Sequence, residues 1–119
     1  MPLNDTLAVL KKAKIVKKIV SSKFDGVADS YIFKVRVELV NGWLLDYWEH
    51  KTPSLRRYSF HVFFSRQMIV KWDNTPHYPE LKGFPHHKHE GKTVIGSTEM
   101  TLLMVLAQLE KIVTPSSSS

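Results

Sequence analysis

The stretch Tyr31-Ile-Phe-Lys-Val-Arg-Val-Glu-Leu-Val40, followed at once by Asn41-Gly42 and Trp43-Leu-Leu-Asp-Tyr-Trp-Glu49, is where the fold is decided. Phe33, Val35, Val37 and Leu39 alternate with Lys34, Arg36 and Glu38, the period of a strand with one buried and one wet face. An Asn-Gly pair tolerates the positive φ values of a type I′ turn, so Trp43 to Glu49 is expected to fold back antiparallel on the preceding strand.

Working outward, Thr52-Pro53-Ser54 interrupts the pattern and the apolar run Tyr58 to Phe64 predicts another strand. Ser65-Arg66 then turns it into a strand from Met68 to Trp72. Beyond Glu90-Gly91 a short strand is expected around Thr93 to Ile95. Ser97 to Glu99 reads as a helix start capped by Ser97 or Thr98. Met100, Leu103, Met104, Ala107 and Ile112 share one face of that helix, widened by Leu102, Leu106 and Leu109, so it should cover the sheet. Upstream, Asp25-Gly26 marks a turn. The run Lys14 to Lys23 suits either a helix or a strand, and its β-branched Ile15, Val16, Ile19 and Val20 tip it towards strand. Asn4, Asp5 and Thr6 are helix caps ahead of Leu7, Leu10 and Ala13, predicting a short helix from about Asn4 to Lys12. The expected architecture is a single α+β domain over residues 1–114. It comprises an antiparallel meander of about five strands, a short N-terminal helix and a C-terminal helix packed on the sheet. Residues 115–119, Pro-Ser-Ser-Ser-Ser, have nothing to bury and read as a disordered serine-rich tail.

Seventeen Lys and Arg against eleven Asp and Glu give a formal charge of +6, which favours a polyanionic partner, nucleic acid first and an acidic protein second. The lysines at 11, 12, 14, 17, 18 and 23 read more simply as a solvated face. With no cysteine in the chain, disulfides and thiolate metal sites are excluded, and any metal must be held by His, Asp or Glu. No apolar run approaches the roughly 20 residues of a membrane helix. Nor does the N-terminus carry a basic region followed by a hydrophobic block, so a cytoplasmic protein is expected.

The chemistry is expected between Trp72 and His89, which hold four of the six histidines and three of the six prolines. Three prolines fix φ and remove backbone donors, so this segment reads as a stiff loop entered from a strand end. On extended backbone His87 and His89 point one way and His86 with Lys88 the other. His77 arrives from the opposite arm of the loop, and Asp73 is placed to orient an imidazole. Such a set allows a three-histidine site for a divalent metal such as zinc, formed by His77, His87 and His89. It equally allows a metal-free acid and base pair acting on RNA. Side-chain turns by Asp73 and Asn74, and histidines that only brace the loop, are the structural alternatives. Arg56, Arg57 and Lys88 are candidates for phosphate contacts. Glu49 and His61 are candidates for a carboxylate and an imidazole on the sheet surface. Tyr47, Trp48, Tyr58 and Trp72 are available to stack bases.

The blocks Arg57-Tyr-Ser-Phe-His61, Val70-Lys-Trp-Asp-Asn74 with Pro76-His-Tyr-Pro79, and Phe84-Pro-His-His-Lys-His89 with Val94 and a C-terminal helix resemble the TumE family of toxins from toxin-antitoxin modules. The resemblance covers about residues 31 to 113. The family pattern often has a second histidine where this chain has Tyr78, and arginine in place of Lys71. It implies a small cytoplasmic toxin paired with an antitoxin that carries a helix-turn-helix DNA-binding domain; a homodimer is compatible with it. A helix followed by a basic antiparallel sheet is also similar, by analogy of fold, to ribonuclease toxins of the RelE and barnase-like class. The combined expectation is an endoribonuclease without a cofactor. His77, His87, His89 and Asp73 would be its catalytic residues, Arg57, Lys88, Lys71 and Asn74 its RNA contacts, and His86, His61 and Glu49 secondary candidates. The rivals are a non-catalytic binding module for nucleic acid or protein, and a histidine-ligated metal hydrolase.

Overall fold

Alternation in the Tyr31 to Leu39 strand appears in three dimensions as sidedness: Tyr31, Phe33, Val35, Val37 and Leu39 are buried while Ile32 and Lys34 are exposed. The computed structural model describes residues 3–113, and the expected serine-rich tail lies outside them. In chain order the elements are α1 (Leu3–Lys12), β1 (Val16–Val27), β2 (Ser30–Leu39), β3 (Leu44–Thr52), β4 (Leu55–Phe64), β5 (Gln67–Asp73), β6 (His87–Glu90), β7 (Thr93–Gly96) and α2 (Leu102–Glu110). All strands pair with their sequence neighbours in one antiparallel sheet of order β1-β2-β3-β4-β5-β6-β7. Leu10 of α1 and Leu102, Val105, Leu106 and Leu109 of α2 close on Phe33, Tyr47, Phe60 and Trp72 to form the core. That core occupies one face of the sheet, and the opposite face carries the alternate, mostly polar residues.

The sheet therefore has seven strands rather than five. One of the extra strands, β6, was hidden inside the histidine segment: Pro76, Pro79 and Pro85 all precede it, so His87 to Glu90 are free to pair with β5. The other is β1, which bears out the strand favoured by the β-branched residues between Lys14 and Lys23, although register shifts between Val16 and Lys18 and between Ile19 and Ser21 break its two-residue period. The turn after it lies at Ala28-Asp29, because Val27 pairs with Ser30. Gly26 stays in the strand at φ 131°, where a Cβ would stand 2.4 Å from the Ser30 carbonyl oxygen.

Asn41-Gly42 does close a hairpin, but not as a type I′ turn: only Gly42 has positive φ, and Asn41 Oδ1 accepts a hydrogen bond from the Trp43 amide at 3.1 Å. The Gly42 amide donates to Leu39 O and the Leu39 amide to Trp43 O, the pattern of a three-residue loop with glycine in the left-handed region. Paired positive φ values fall instead at Ser65 (50°) and Arg66 (68°), between β4 and β5. Asn4, Asp5 and Thr6 sit within the first turn of α1 rather than ahead of it. The second helix starts later than expected, with Thr101 as cap accepting from the Met104 amide. Its buried face is Leu102, Val105, Leu106 and Leu109, while Leu103, Met104, Ala107 and Ile112 are exposed. A nine-residue helix that is apolar nearly all round gives periodicity too little polar contrast to choose a face.

Candidate active site

Where β5 ends, two side chains fix the departing chain. Asn74 spans to β4, its Oδ1 accepting from the Tyr58 amide at 3.0 Å and its Nδ2 donating to Arg56 O at 2.7 Å. Asp73 Oδ1 accepts from the Thr75 amide at 2.9 Å, the side-chain turn that aspartate favours at strand ends. The loop's far arm then packs on β7 without room for side chains. A Cβ on Gly83 would stand 2.1 Å from Ser97 O, and one on Gly96 only 1.8 Å from Lys82 O. Held at both ends, the chain returns as β6 with Asp73 opposite His87 and Lys71 opposite His89. Paired residues share a face, so four functional groups meet on the open side of the sheet.

His87 Nε2 lies 2.9 Å from Asp73 Oδ1, His89 Nε2 3.5 Å from Asp73 Oδ2, and Lys71 Nζ 3.7 Å from the same Oδ2. The two imidazole rings stand edge to face with centroids 4.8 Å apart, and the Tyr78 ring closes over them at 4.9 Å from His87 and 6.0 Å from His89. His87 is only 3% exposed, and its Nδ1 faces Pro85 O at 3.1 Å. Both of its nitrogens therefore lie against oxygen atoms, Nε2 against Asp73 and Nδ1 against Pro85 O. His87 is thus an anchor for Asp73, sealed from solvent. The accessible member is His89, with a side chain 21% exposed. Burial pulls its ring below its ordinary pKa, opposed by the neighbouring Asp73 carboxylate.

The same register extends this site across the sheet. Asp46 pairs with His61, His61 with Lys71 and Lys71 with His89, giving a row of imidazole, ammonium and imidazole on three adjacent strands. Burial, then the Lys71 charge, lowers the His61 pKa as well. Asp46 next to it is neutralised by a two-pronged contact from Arg36 at 2.7 and 2.9 Å.

Other residues expected at the site are placed elsewhere. Glu49 faces the core, opposite in direction to His61, and accepts from Tyr31, Tyr47 and Arg56 at 2.9, 2.7 and 2.8 Å. Arg56 also binds Glu99 and Met100 O and lies over the Tyr58 ring, so it ties β4 to the chain entering α2. Lys88 points to the helical side, 2.6 Å from Glu90 and over the Trp72 ring. His86 points that way too, its Nδ1 2.7 Å from the Tyr58 hydroxyl. The Asn74 amide is buried and committed at both ends, and Arg57 donates to Asn74 O at 2.9 Å. Exposed at the loop rim, His77 has its ring 6.4 Å from that of Tyr78 and stays outside the cluster. Tyr47, Tyr58 and Trp72 are core residues, which leaves Trp48 of the four aromatics on the open face. Sequence reasoning noted Tyr78 only as a departure from the family pattern, which often has a histidine there, whereas its ring closes over both imidazoles.

Asp73, His87 and His89 also form the set suited to a metal ion, with one ligand atom from each lying within 4.8 Å of the others. Pro85 O would then be the acceptor that orients the His87 ring. Asp73 here takes the place expected for His77. Among the described residues no helix is long and apolar enough to cross a membrane.

No curated protein and no solved structure matches the chain. The model of one family, described as Toxin TumE, matches residues 6–114, which include most of α1, every strand, α2 and the Asp73, His87 and His89 cluster; the chain belongs to the TumE family of toxins.

Proposed function

We propose that this toxin acts on RNA as an endoribonuclease that needs no metal, with its site on the open face of the sheet. The observation that carries the reading is the row His61, Lys71, His89 in direct register, with Asp73 beside it. His61 and His89 are two strand spacings apart, about 9–10 Å between Cα atoms, so side chains of this length can reach both sides of one phosphate. The neutral His89 ring takes the proton of a ribose 2′-hydroxyl, whose oxygen then attacks the adjacent phosphorus. The bond from phosphorus to the 5′-oxygen breaks, and His61 supplies the proton to that oxygen from its protonated form, a form whose share burial and Lys71 reduce. The products are a 2′,3′-cyclic phosphate and a 5′-hydroxyl. Lys71 between them neutralises the charge that grows on the phosphoryl oxygens. Asp73 orients His89, and His87 fixes Asp73 from the buried side. Exposed His77 and the half-buried Arg57 would meet the RNA strand at the rim. The cognate antitoxin, with its helix-turn-helix domain, would silence the toxin by covering this face.

The second reading is a metal hydrolase held by Asp73, His87 and His89, favoured by the closeness of their ligand atoms. Purified toxin and end-labelled RNA separate the two. The acid and base reading predicts cleavage that survives chelator and leaves cyclic phosphate ends. Cleavage abolished by chelator and restored by zinc or manganese supports the metal reading, and binding without cleavage supports a module that only sequesters RNA.

A further inference from the structure

The rows that carry the histidines continue past them across the sheet, and what they meet is chemically distinct from the cleavage site. His87, Asp73, Ser59, Trp48, Lys34 and Lys23 are consecutive partners from β6 to β1, one residue from each strand. Alternate residues share a face, so this is one track on the open side. Ser59 contributes little height between Asp73 and the Trp48 indole. Beyond the indole, Trp48 lines a shallow cleft together with Ile32, Lys23, Lys34 and Asp25. Ile32 is 39% exposed, a branched apolar side chain lining the same cleft on a face that is mostly polar. The His50 ring stands 6.4 Å from that of Trp48 at 59°, walling the indole on the adjacent row. Lys34 is more than half exposed, its Nζ 3.9 Å from an Asp46 carboxylate already engaged by Arg36.

We infer that this cleft is a subsite for one unpaired nucleotide of the RNA substrate, with the base laid on Trp48 and Ile32 and the neighbouring phosphates on Lys23 and Lys34. The inference rests on the ribonuclease reading and adds to it a substrate class, single-stranded RNA, and a direction across the strands. An aromatic ring on a sheet surface can take only a base that is not stacked in a duplex, since paired bases offer their faces to each other. Trp48 lies two strand spacings, about 9–10 Å, from Asp73, so the base it takes belongs to a nucleotide close to, but not at, the scissile bond. The cations at the outer end supply the electrostatic part of the contact and are set apart from Lys71, which serves the cleaved phosphate.

The test uses unpaired 2′-O-methyl RNA strands of two and eight nucleotides, which lack the attacking hydroxyl, so that binding is measured apart from cleavage. In the wild-type toxin the longer strand binds more tightly. In Trp48→Ala that gain from length falls roughly 5- to 150-fold, the range for loss of one stacked base, and in Trp48→Phe most of it is kept. Lys23→Glu with Lys34→Glu lowers the slope of log affinity against log salt by roughly 1.4, two contacts to a single strand. A gain from length that survives in Trp48→Ala overturns the subsite while leaving the cleavage site standing. Equal affinity of the wild type for an eight-base-pair duplex and for the single strand also overturns it. A wild-type toxin that neither binds these strands nor cuts ordinary RNA overturns the ribonuclease reading itself, and the subsite with it. Trp48→Phe reporting like Trp48→Ala, with an unaltered melting temperature, assigns the indole to hydrogen bonding rather than stacking and refutes a base laid flat on the ring.

Discussion

Replacing His87 and His89 one at a time separates what holds the site from what reacts in it. His87→Ala removes one partner of a sealed contact: the ring is 3% exposed and both its nitrogens face acceptors, and its loss leaves the equally buried Asp73 carboxylate with the Thr75 amide, Lys71 and His89 but one hydrogen bond short. A buried hydrogen bond to a charged group is worth about 1.5–3 kcal/mol, and in a domain of this size each kcal/mol lowers the melting temperature by about 4 °C. A fall of roughly 6–12 °C is expected. His89→Ala removes a partly exposed ring whose contact with Asp73 is longer, so melting should move by no more than about 4 °C. Its cost appears in the rate, where loss of one proton-transfer group lowers cleavage roughly 10²- to 10⁴-fold. The measurements are circular dichroism melts of each variant and single-turnover cleavage of labelled RNA well below the lower melting point. A His87→Ala protein that melts with the wild type would refute the buried-anchor reasoning, and full activity in His89→Ala would remove that residue from the chemistry. Under the metal reading both variants lose activity together, and zinc raises the melting temperature of the wild type alone.

Three further outcomes follow from the same geometry. Lys71→Ala should lower cleavage by at least tenfold while Lys71→Arg keeps most of it, since a guanidinium also neutralises phosphate; equal loss in both would mean that the ammonium does more than carry charge. Gly96→Ala puts a methyl group 1.8 Å from Lys82 O, so the 74–86 loop must lift from β7, and protease cutting within that loop should rise before the sheet unfolds. Burial pushes the Glu49 carboxyl up, but hydrogen bonds from Tyr47 and Arg56, the Arg56 charge and the Tyr31 hydroxyl outweigh it and hold its pKa below the ordinary value. A depressed carboxyl stabilises the fold above its unfolded pKa and loses that contribution as pH falls through the folded one. Stability should therefore drop below about pH 4.5 in the wild type. In Glu49→Gln the drop should be shallower, and identical acid unfolding curves would show that this carboxylate is not what acid attacks.

The parts of the fold that could be read from sequence are those where one physical rule acts alone. β2 alternates without interruption because one side is buried under α1 and α2 and the other is wet, so its period identified both strand and faces. In β1 two register shifts break the period while the edge position leaves most side chains exposed, so only its β-branched residues, and not its period, pointed to a strand. The second helix failed for the opposite reason: its residues are apolar nearly all round, and the face that packs is chosen by the sheet beneath it. Glu49 was misplaced because its strand alternates correctly and yet one buried position is a carboxylate. Only the tyrosines and Arg56 brought from other positions make that burial tolerable, and local sequence does not reveal such partners.

For the site, the grouping of His87 with His89 followed from extended backbone, but their unequal roles come from pairing. As a loop residue His87 would be replaceable at little cost; as the strand partner of Asp73 it lies under the Tyr78 ring and is closed to substrate. In the proposed mechanism that closure leaves the proton chemistry to the accessible side chains of the next row, where Lys71 and His61 follow His89. His61 is 28 residues from His89 and lies in a separate sequence block, so only the register of β4, β5 and β6 brings them together. The three-residue row is therefore a property of the sheet and not of the histidine-rich segment. A shift of one residue in the pairing of β5 with β6 would turn His89 to the helical side and Lys88 to the open one, exchanging a proton acceptor for a fixed charge. The two glycines that clamp the 74–86 loop to β7 help hold that register from outside the site, which ties residues with no chemistry of their own to the geometry on which cleavage would depend.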